Sequence, residues 1–131
     1  MGFIVLKALS VVDASAIAAV LFDEPESAPV VASVGDALLA PSLLHYEIAS
    51  VCTTKLLREP ARARLILSRY RLLASLDIEL AEPDWETLPL LARRWGLSAY
   101  DAAYLQLALA RKAPLVTLDA RLAGAYEKAT A

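Results

Sequence analysis

The sequence contains one cysteine and one histidine in 131 residues. A lone cysteine, Cys52, excludes an internal disulfide and a cysteine-based metal site. It also fits a protein of the reducing cytoplasm, where structural disulfides are rare. A lone histidine, His45, excludes a metal site built from several histidines. Any metal site in this chain must therefore draw its ligands from other side chains.

Glycine-rich loops and long apolar runs are missing as well. The four glycines do not fall into the spacing of a P-loop, a dinucleotide-binding fingerprint or the nucleophile elbow of a hydrolase. No apolar run reaches the ~18 residues of a membrane span. The apolar stretch at residues 3–9 lacks the basic start and the cleavage site of a signal peptide. We therefore expect no membrane association and no secretion signal.

The chain has no large excess of charge of either sign, since 13 basic and 15 acidic residues leave a net charge of −2. The exception is local. Residues 55–71 contain six basic residues and one acid, Glu59. Such a segment is either a solvated helix face or a local surface for a polyanion, and the sequence leaves both readings open.

Apolar patterns predict four strands and seven helices in a composition that is 58% hydrophobic. Short runs rich in valine, leucine and isoleucine predict strands at residues 6–12, 36–40, 78–80 and 115–118. Helical spacing between proline and glycine breaks predicts helices at residues 14–22, 25–34, 41–58, 60–76, 83–95, 99–112 and 121–128.

The alternation of these strands and helices predicts an α/β fold. Parallel strands joined by right-handed helical crossovers explain such an order, with helices on both faces of the sheet. We therefore expect one domain over residues 1–131. Its architecture is a three-layer α/β/α sandwich with a parallel sheet of four strands, or five if a further edge strand forms.

Four acidic residues are expected to meet at one edge of this sheet. Asp13 ends the first predicted strand and Asp119 ends the fourth. Ligands of parallel sheets bind outside the carboxyl ends of the strands, at the point where the strand order reverses. If these two strands are neighbours, the two carboxylates face one crevice. Glu47 and Asp101 lie near the starts of helices that leave the same edge.

A converging set of carboxylates indicates a divalent metal. Without a counter-charge the acids repel one another and their pKa values rise. Mg²⁺ and Mn²⁺ prefer oxygen ligands, and such a cation can activate a water for phosphodiester hydrolysis. Each acid also has a structural explanation: Asp13 and Asp119 as helix N-caps, and Asp101 as part of a capping box that begins at Ser98. Glu47 follows an apolar stretch, where a charge needs a partner.

Two hydroxyl side chains flank the predicted metal ligands. Ser15 follows Asp13 by two residues, and it could bind a ligand water or a phosphate or simply belong to the first helical turn. Thr117 precedes Asp119 by two residues, and it could orient that carboxylate or simply be a strand residue.

Four segments of the sequence resemble the PIN-domain ribonucleases, and most of all the VapC-type toxins of bacterial and archaeal toxin–antitoxin pairs. The resemblance covers nearly the whole chain. The segments that carry it are Val12–Ala16 (VDASA), Ala40–Glu47 (APSLLHYE), Leu97–Tyr104 (LSAYDAAY) and Leu115–Asp119 (LVTLD).

The resemblance implies an endoribonuclease that depends on Mg²⁺ or Mn²⁺, forms homodimers and is inhibited by a cognate antitoxin. It places catalysis and metal binding on the acidic quartet Asp13, Glu47, Asp101 and Asp119, with polar support from Ser15 and Thr117. The basic segment then offers candidate RNA contacts at Lys55, Arg58, Arg62 and Arg64.

Two departures and two alternatives accompany this interpretation. Ser50 stands where the family often has an asparagine three residues after the glutamate, which questions the support of Glu47. Where family members often add a fifth strand, this chain ends soon after its last predicted helix. The alternatives are a non-catalytic module of the same fold that binds a protein partner, and a metal-dependent phosphatase or receiver-like domain with Asp13 as nucleophile.

Overall fold

The computed structural model describes residues 8–131, and its elements follow the predicted order. They are β1 (Leu9–Val12), α1 (Ala14–Leu21), α2 (Ser27–Ser33), β2 (Ala37–Ala40), α3 (Leu43–Arg58), a 3₁₀ turn (Pro60–Arg62), α4 (Ala63–Arg71), a second 3₁₀ turn (Leu72–Ser75), β3 (Ile78–Leu80), α5 (Leu88–Trp95), α6 (Ala99–Arg111), β4 (Leu115–Val116) and α7 (Ala120–Thr130).

The sheet within the described residues has four parallel strands in the order β3-β2-β1-β4. The chain moves from β1 to β2 to β3 in one direction and then returns to the other side of β1 with β4. The strand order therefore reverses between β1 and β4. This confirms the predicted parallel sheet, and the first and last strands are neighbours, as a crevice shared by Asp13 and Asp119 requires. No fifth strand joins the sheet within residues 8–131.

The two central strands, β1 and β2, are largely buried on both faces, which explains why they are apolar without alternation. Val11 and Val12 of β1 and Leu39 of β2 are 0% exposed. The helices pack as two groups, α1 to α4 and α5 to α7. Right-handed crossovers place the two groups on opposite faces, because the second group connects strands in the reverse direction. The described residues contain no helix that could cross a bilayer.

The helix predicted over residues 83–95 begins only at Leu88, so the prediction was wrong at its start. Pro89 occupies the first turn, where its missing N–H costs nothing. The preceding turn is stabilised by the Asp84 carboxylate, which accepts hydrogen bonds from the Glu86 N–H (3.2 Å) and the Thr87 hydroxyl (2.9 Å). Trp85 consequently lies on this turn, 67% exposed, and not on a buried helix face.

Three other predicted elements, one helix and two strands, have bounds that differ from the structure or lie partly outside it. The helix predicted over residues 60–76 is a shorter α4 between two 3₁₀ turns. The fourth strand ends at Val116. Beyond it, the Thr117 hydroxyl donates to the Asp13 carboxylate and the Leu118 N–H donates to the Ser15 hydroxyl. Residues 6 and 7 of the predicted first strand, and most of the apolar stretch at residues 3–9, lie outside the described part of the chain.

Candidate active site

Asp13 lies at the reversal point between β1 and β4. Its N–H donates to the Val116 carbonyl (3.2 Å) and so extends the β1–β4 pairing by one residue. Its carboxylate then caps α1, accepting the Ala16 N–H at 3.0 Å. Asp13 is 5% exposed. The N-cap explanation for Asp13 is therefore correct, and it is compatible with a second role because one carboxylate oxygen is not used by the cap.

Two hydroxyl groups hold the Asp13 carboxylate in place. Ser15 donates to Asp13 Oδ1 at 2.7 Å, and Thr117 donates to Asp13 Oδ2. Thr117 also accepts the Asp119 N–H (3.0 Å), and Ser15 accepts the Leu118 N–H (2.9 Å). Thr117 thus orients Asp13 and not the carboxylate of Asp119. Residues from two strand ends form a single network around one buried acid.

Asp119 and Asp101 both begin helices at this edge. Asp119 is the N-cap of α7, and its Oδ1 accepts the N–H groups of Arg121 (2.9 Å) and Leu122 (3.1 Å). Asp101 lies in the first turn of α6, where the Ser98 hydroxyl accepts its N–H at 3.1 Å. The capping roles predicted for Asp119 and Ser98 are confirmed.

Glu47 has the partner that its apolar surroundings require. The hydroxyl of Tyr104 on α6 donates to Glu47 Oε1 on α3 at 2.7 Å, and Tyr104 is 1% exposed. Ser50 is exposed on α3, so the support of Glu47 comes from Tyr104 and the other helix layer.

The four acids act on one another electrostatically. Burial is the largest cause of the raised pKa of Asp13, of Glu47 and of Asp101. Repulsion adds to it: Asp119 raises the pKa of Asp13, and both Asp13 and Asp119 raise that of Asp101. The charges of Asp101 and Asp13 likewise raise the pKa of Glu47. Asp13 and Asp101 therefore each interact with Glu47 and with Asp119. Arg121 opposes this repulsion by lowering the pKa of Asp101.

Stability without metal should fall as the pH rises. Raised folded-state pKa values mean that the folded protein binds these protons more tightly than the unfolded chain does. Their stabilising effect is complete below the unfolded value of about 4 and is lost as the pH rises through the folded values. We expect the Tm of wild type, measured by circular dichroism in EDTA, to fall relative to that of Asp13→Asn from pH 4 toward neutrality. A pH-independent difference would contradict the raised pKa of Asp13.

The residues of this cluster fit a divalent cation of the Mg²⁺ type. Within residues 8–131 no three acid, histidine or cysteine side chains are close enough to form a ready-made cage. Mg²⁺ does not need one, because it commonly binds through one or two carboxylates and keeps several waters. Of the two carboxylate oxygens of Asp119, only Oδ1 accepts hydrogen bonds from described residues, so Oδ2 can face a cation. The Ser98 hydroxyl lies beside the Asp101 carboxylate and lowers its pKa, which favours the charged form that a cation binds. The donors are all oxygens, as a hard cation prefers.

The structure does not bring the predicted basic contacts to this cluster. Lys55 lies two turns further along α3 than Glu47, roughly 12 Å along the helix axis. Its ammonium group pairs with Glu24 at 3.2 Å and lies over the Phe22 ring at 5.0 Å. Within the same segment Arg62 pairs with Glu59 at 3.0 Å, and Arg58 and Arg64 are exposed. These four residues form a separate surface.

Sequence reasoning missed two residues of the site. Tyr104 lies three positions after Asp101, which places both on one face of α6, but its partner lies on another helix. Arg121 lies two positions after Asp119, in the first turn of the last helix. Their spacing from Asp101 and Asp119 could have indicated Tyr104 and Arg121 as site residues. It could not have predicted that Tyr104 contacts Glu47 or that Arg121 acts on Asp101.

The protein is a parallel α/β sandwich with acidic residues at the point where its strand order reverses. Comparisons with known proteins identify the protein family. A family model of the PIN domain matches residues 10–128. This chain belongs to the PIN-domain family, as the resemblance of its motifs indicated.

Particular relatives narrow the comparison. The VapC ribonuclease Mb0985 of Mycobacterium bovis and the ribonuclease VapC9 of Mycobacterium tuberculosis are each 37% identical to this chain over 118 residues. Each match covers 86% of this chain and 87% of the relative. The crystal structure of PAE2754 from Pyrobaculum aerophilum shares the fold, with a TM-score of 0.72, 21% identity and coverage of 93% and 92% of the two chains.

Proposed function

We propose that this chain is a metal-dependent endoribonuclease of the VapC type that acts as the toxin of a toxin–antitoxin pair. The observation that carries the proposal is the convergence of Asp13, Glu47, Asp101 and Asp119 at the β1–β4 switch point of a PIN-domain chain. The ribonuclease names of the 37% identical relatives support the same activity.

Each acid has a distinct task in this proposal. Asp13 is the ligand with the most fixed direction, because Ser15, Thr117 and the Ala16 N–H immobilise its carboxylate. Asp101 and Asp119 face the same crevice from two helix N-termini. Because the Asp13 carboxylate is fixed by hydrogen bonds, its oxygens are already oriented before a metal ion binds, which limits reorganisation during the reaction.

The cluster requires a cation to accept RNA at all. Four carboxylates repel an anionic phosphate, and among residues 8–131 the one cation that lowers a pKa in the cluster is Arg121. We propose Mg²⁺ or Mn²⁺ as the cofactor, with Asp13, Glu47, Asp101 and Asp119 as its candidate ligands. One or two of these carboxylates would bind the ion directly, and the others would contact the waters that it keeps. Such an ion supplies Lewis-acid charge for phosphodiester hydrolysis. The hydrogen bond from Tyr104 holds the Glu47 carboxylate between α3 and α6.

The remaining parts of the proposal concern partners. A cognate antitoxin protein, a homodimer and a cytoplasmic location follow from the resemblance to VapC-type toxins. The basic surface at Lys55, Arg58, Arg62 and Arg64 lies away from the acids, so we propose that it guides the RNA backbone at a distance from the cleaved bond. Arg58 and Arg64, which are exposed, are the better candidates, since Lys55 and Arg62 already pair with acids.

Metal removal tests the activity directly. The protein is dialysed against EDTA and mixed with end-labelled single-stranded RNA, and the products are separated on a denaturing gel. We expect no cleavage in EDTA and restored cleavage when Mg²⁺ or Mn²⁺ is added in excess. Asp13→Asn purified in the same way controls for contaminating ribonucleases, which would cleave in both preparations. Equal cleavage with and without metal, confined to the wild-type preparation, would contradict a metal-dependent mechanism.

A further inference from the structure

A shallow apolar groove of about 150 Å³ opens at the same edge of the sheet as the acid cluster. It lies between the segments that follow β2 and β3 and the first turns of α6. The side chains that define it here are Pro41 and Leu43 after β2, Glu82 and Trp85 after β3, and Tyr100 and Ala103 on α6.

Two aromatic rings at this groove are exposed. Trp85 and Tyr100 are each 67% exposed, although large aromatic side chains gain the most from burial. Among the described residues that line the groove, Glu82 is the one that carries a charge. A phosphate is disfavoured beside that carboxylate, whereas a flat uncharged ring can stack on either aromatic.

The turn that carries Trp85 is held firmly. Gln106 on α6 accepts the Asp84 N–H at 2.7 Å and donates to the Asp84 carbonyl at 3.1 Å and to the Thr87 hydroxyl at 3.0 Å. These hydrogen bonds fix the turn against the helix that also carries Tyr100. The exposed indole is therefore presented by a rigid support, as a preformed binding surface requires.

The groove and the proposed active site share the first turns of α3 and α6. Tyr100 directly precedes Asp101 on α6, and Leu43 lies one turn before Glu47 on the same side of α3. An RNA whose scissile phosphate lies at the acids must extend along this edge in both directions. Toward β2 and β3, the surface that it meets is this groove.

We propose that the groove between Trp85 and Tyr100 binds one unpaired base of the RNA, next to the bond that is cleaved. The inference rests on the proposed ribonuclease function and deepens it, since it selects single-stranded substrates. Stacking on aromatic side chains is the general mode by which proteins hold unpaired bases, and a base within a duplex is not available for it.

Tryptophan fluorescence tests the proposal, because the chain has only two tryptophans, Trp85 and Trp95. Trp95 is partly buried against the core, so Trp95→Phe leaves Trp85 as the single reporter. The variant also carries Asp13→Asn to suppress cleavage, and it is titrated in Mg²⁺ with a single-stranded RNA 12-mer. We expect saturable quenching of Trp85, and we expect the same RNA in duplex form to cause none.

Substitutions at the groove provide the matched comparison. Tyr100→Ala should weaken RNA binding by at least about fivefold, the low end for the loss of one stacked base. Val31→Ala, which removes a 57% exposed apolar side chain on α2, should leave it unchanged. Absence of quenching, equal quenching by duplex, or an unchanged affinity of Tyr100→Ala would each overturn the proposal.

Two further outcomes separate this proposal from its alternatives. If Trp85→Ala converts a dimer into a monomer in light scattering, a second copy of the chain covers the groove and the proposal is wrong. Cleavage by protein with Asp13 intact is measured separately. Cleavage without quenching rejects the base-binding groove alone, whereas quenching without cleavage rejects the nuclease and leaves the groove as a binding site.

Discussion

Asp13→Asn should fold normally and lose roughly 100- to 1,000-fold of the RNA cleavage rate, the usual cost of removing one key electrostatic group from an active site. The substitution keeps the size of the side chain and retains an oxygen that can accept the Ser15 and Ala16 hydrogen bonds. It removes one negative charge and one ligand oxygen at the centre of the cluster. The rate is measured with saturating Mg²⁺ on the same end-labelled RNA.

The control for this prediction is the same substitution at the opposite edge of the sheet. Asp36 is exposed and directly precedes β2, so it lies at the amino edge, away from the acids. Asp36→Asn should retain wild-type cleavage. Without metal at neutral pH, the Tm of Asp13→Asn should equal or exceed that of wild type, because a buried repelling charge has been removed. Full activity of Asp13→Asn, or an equal loss in both variants, would contradict the assigned role.

Tyr104→Phe should raise the Mg²⁺ concentration needed for half-maximal cleavage by about 10- to 100-fold, the range typical of partners that orient metal ligands. Its hydroxyl supplies the 2.7 Å hydrogen bond to Glu47 Oε1. Without it, Glu47 keeps its charge but loses the contact that fixes it between α3 and α6. The KM for RNA should change little, because Tyr104 is buried and does not face the substrate.

Tyr126→Phe is the matched control for the loss of a tyrosine hydroxyl. Tyr126 donates to the Ala113 carbonyl at 3.1 Å, about two turns along α7 from Asp119. Both variants should lose stability by about 1 kcal/mol, the net value of one hydrogen bond. Only Tyr104→Phe should shift the Mg²⁺ dependence. An equal shift in both, or none in either, would mean that Tyr104 serves the fold and does not position Glu47.

The sequence was sufficient to predict the edge of the sheet at which the acids meet. Val11 and Val12 are β-branched and buried on both faces, and the acid that follows them can only lie at the carboxyl end of the strand. The same logic applies to Asp119 after β4. Because helices of a parallel sheet start at that edge, Glu47 and Asp101 were expected there as well.

The contacts between these residues could not be predicted from the sequence. Tyr104 and Glu47 lie 57 positions apart, on helices of different layers, and only the packed structure sets their distance. Thr117 is nearer in sequence to Asp119 than to Asp13, yet it donates to Asp13, because parallel pairing aligns it with the end of β1. Local spacing predicts which face of a helix or strand a residue lies on, but it does not predict which residue of another element it contacts.

Trp85 shows the same limit for secondary structure. Trp85 fell within the helix predicted over residues 83–95, together with Leu88, Ala92 and Trp95. Pro89 and the hydrogen bonds of Asp84 determine the actual start of α5. Turn chemistry outweighed apolar periodicity here, and the residue so exposed is the one we propose as a base-stacking platform.

Calorimetric titration of EDTA-treated protein with Mn²⁺ tests the central claim, that these acids hold a divalent cation, without relying on activity. We expect saturable binding to wild type and to Asp36→Asn, and binding that is much weakened or absent in Asp13→Asn. No heat of binding at millimolar Mn²⁺, or the same isotherm for all three proteins, would contradict the account and favour a non-catalytic module of the same fold.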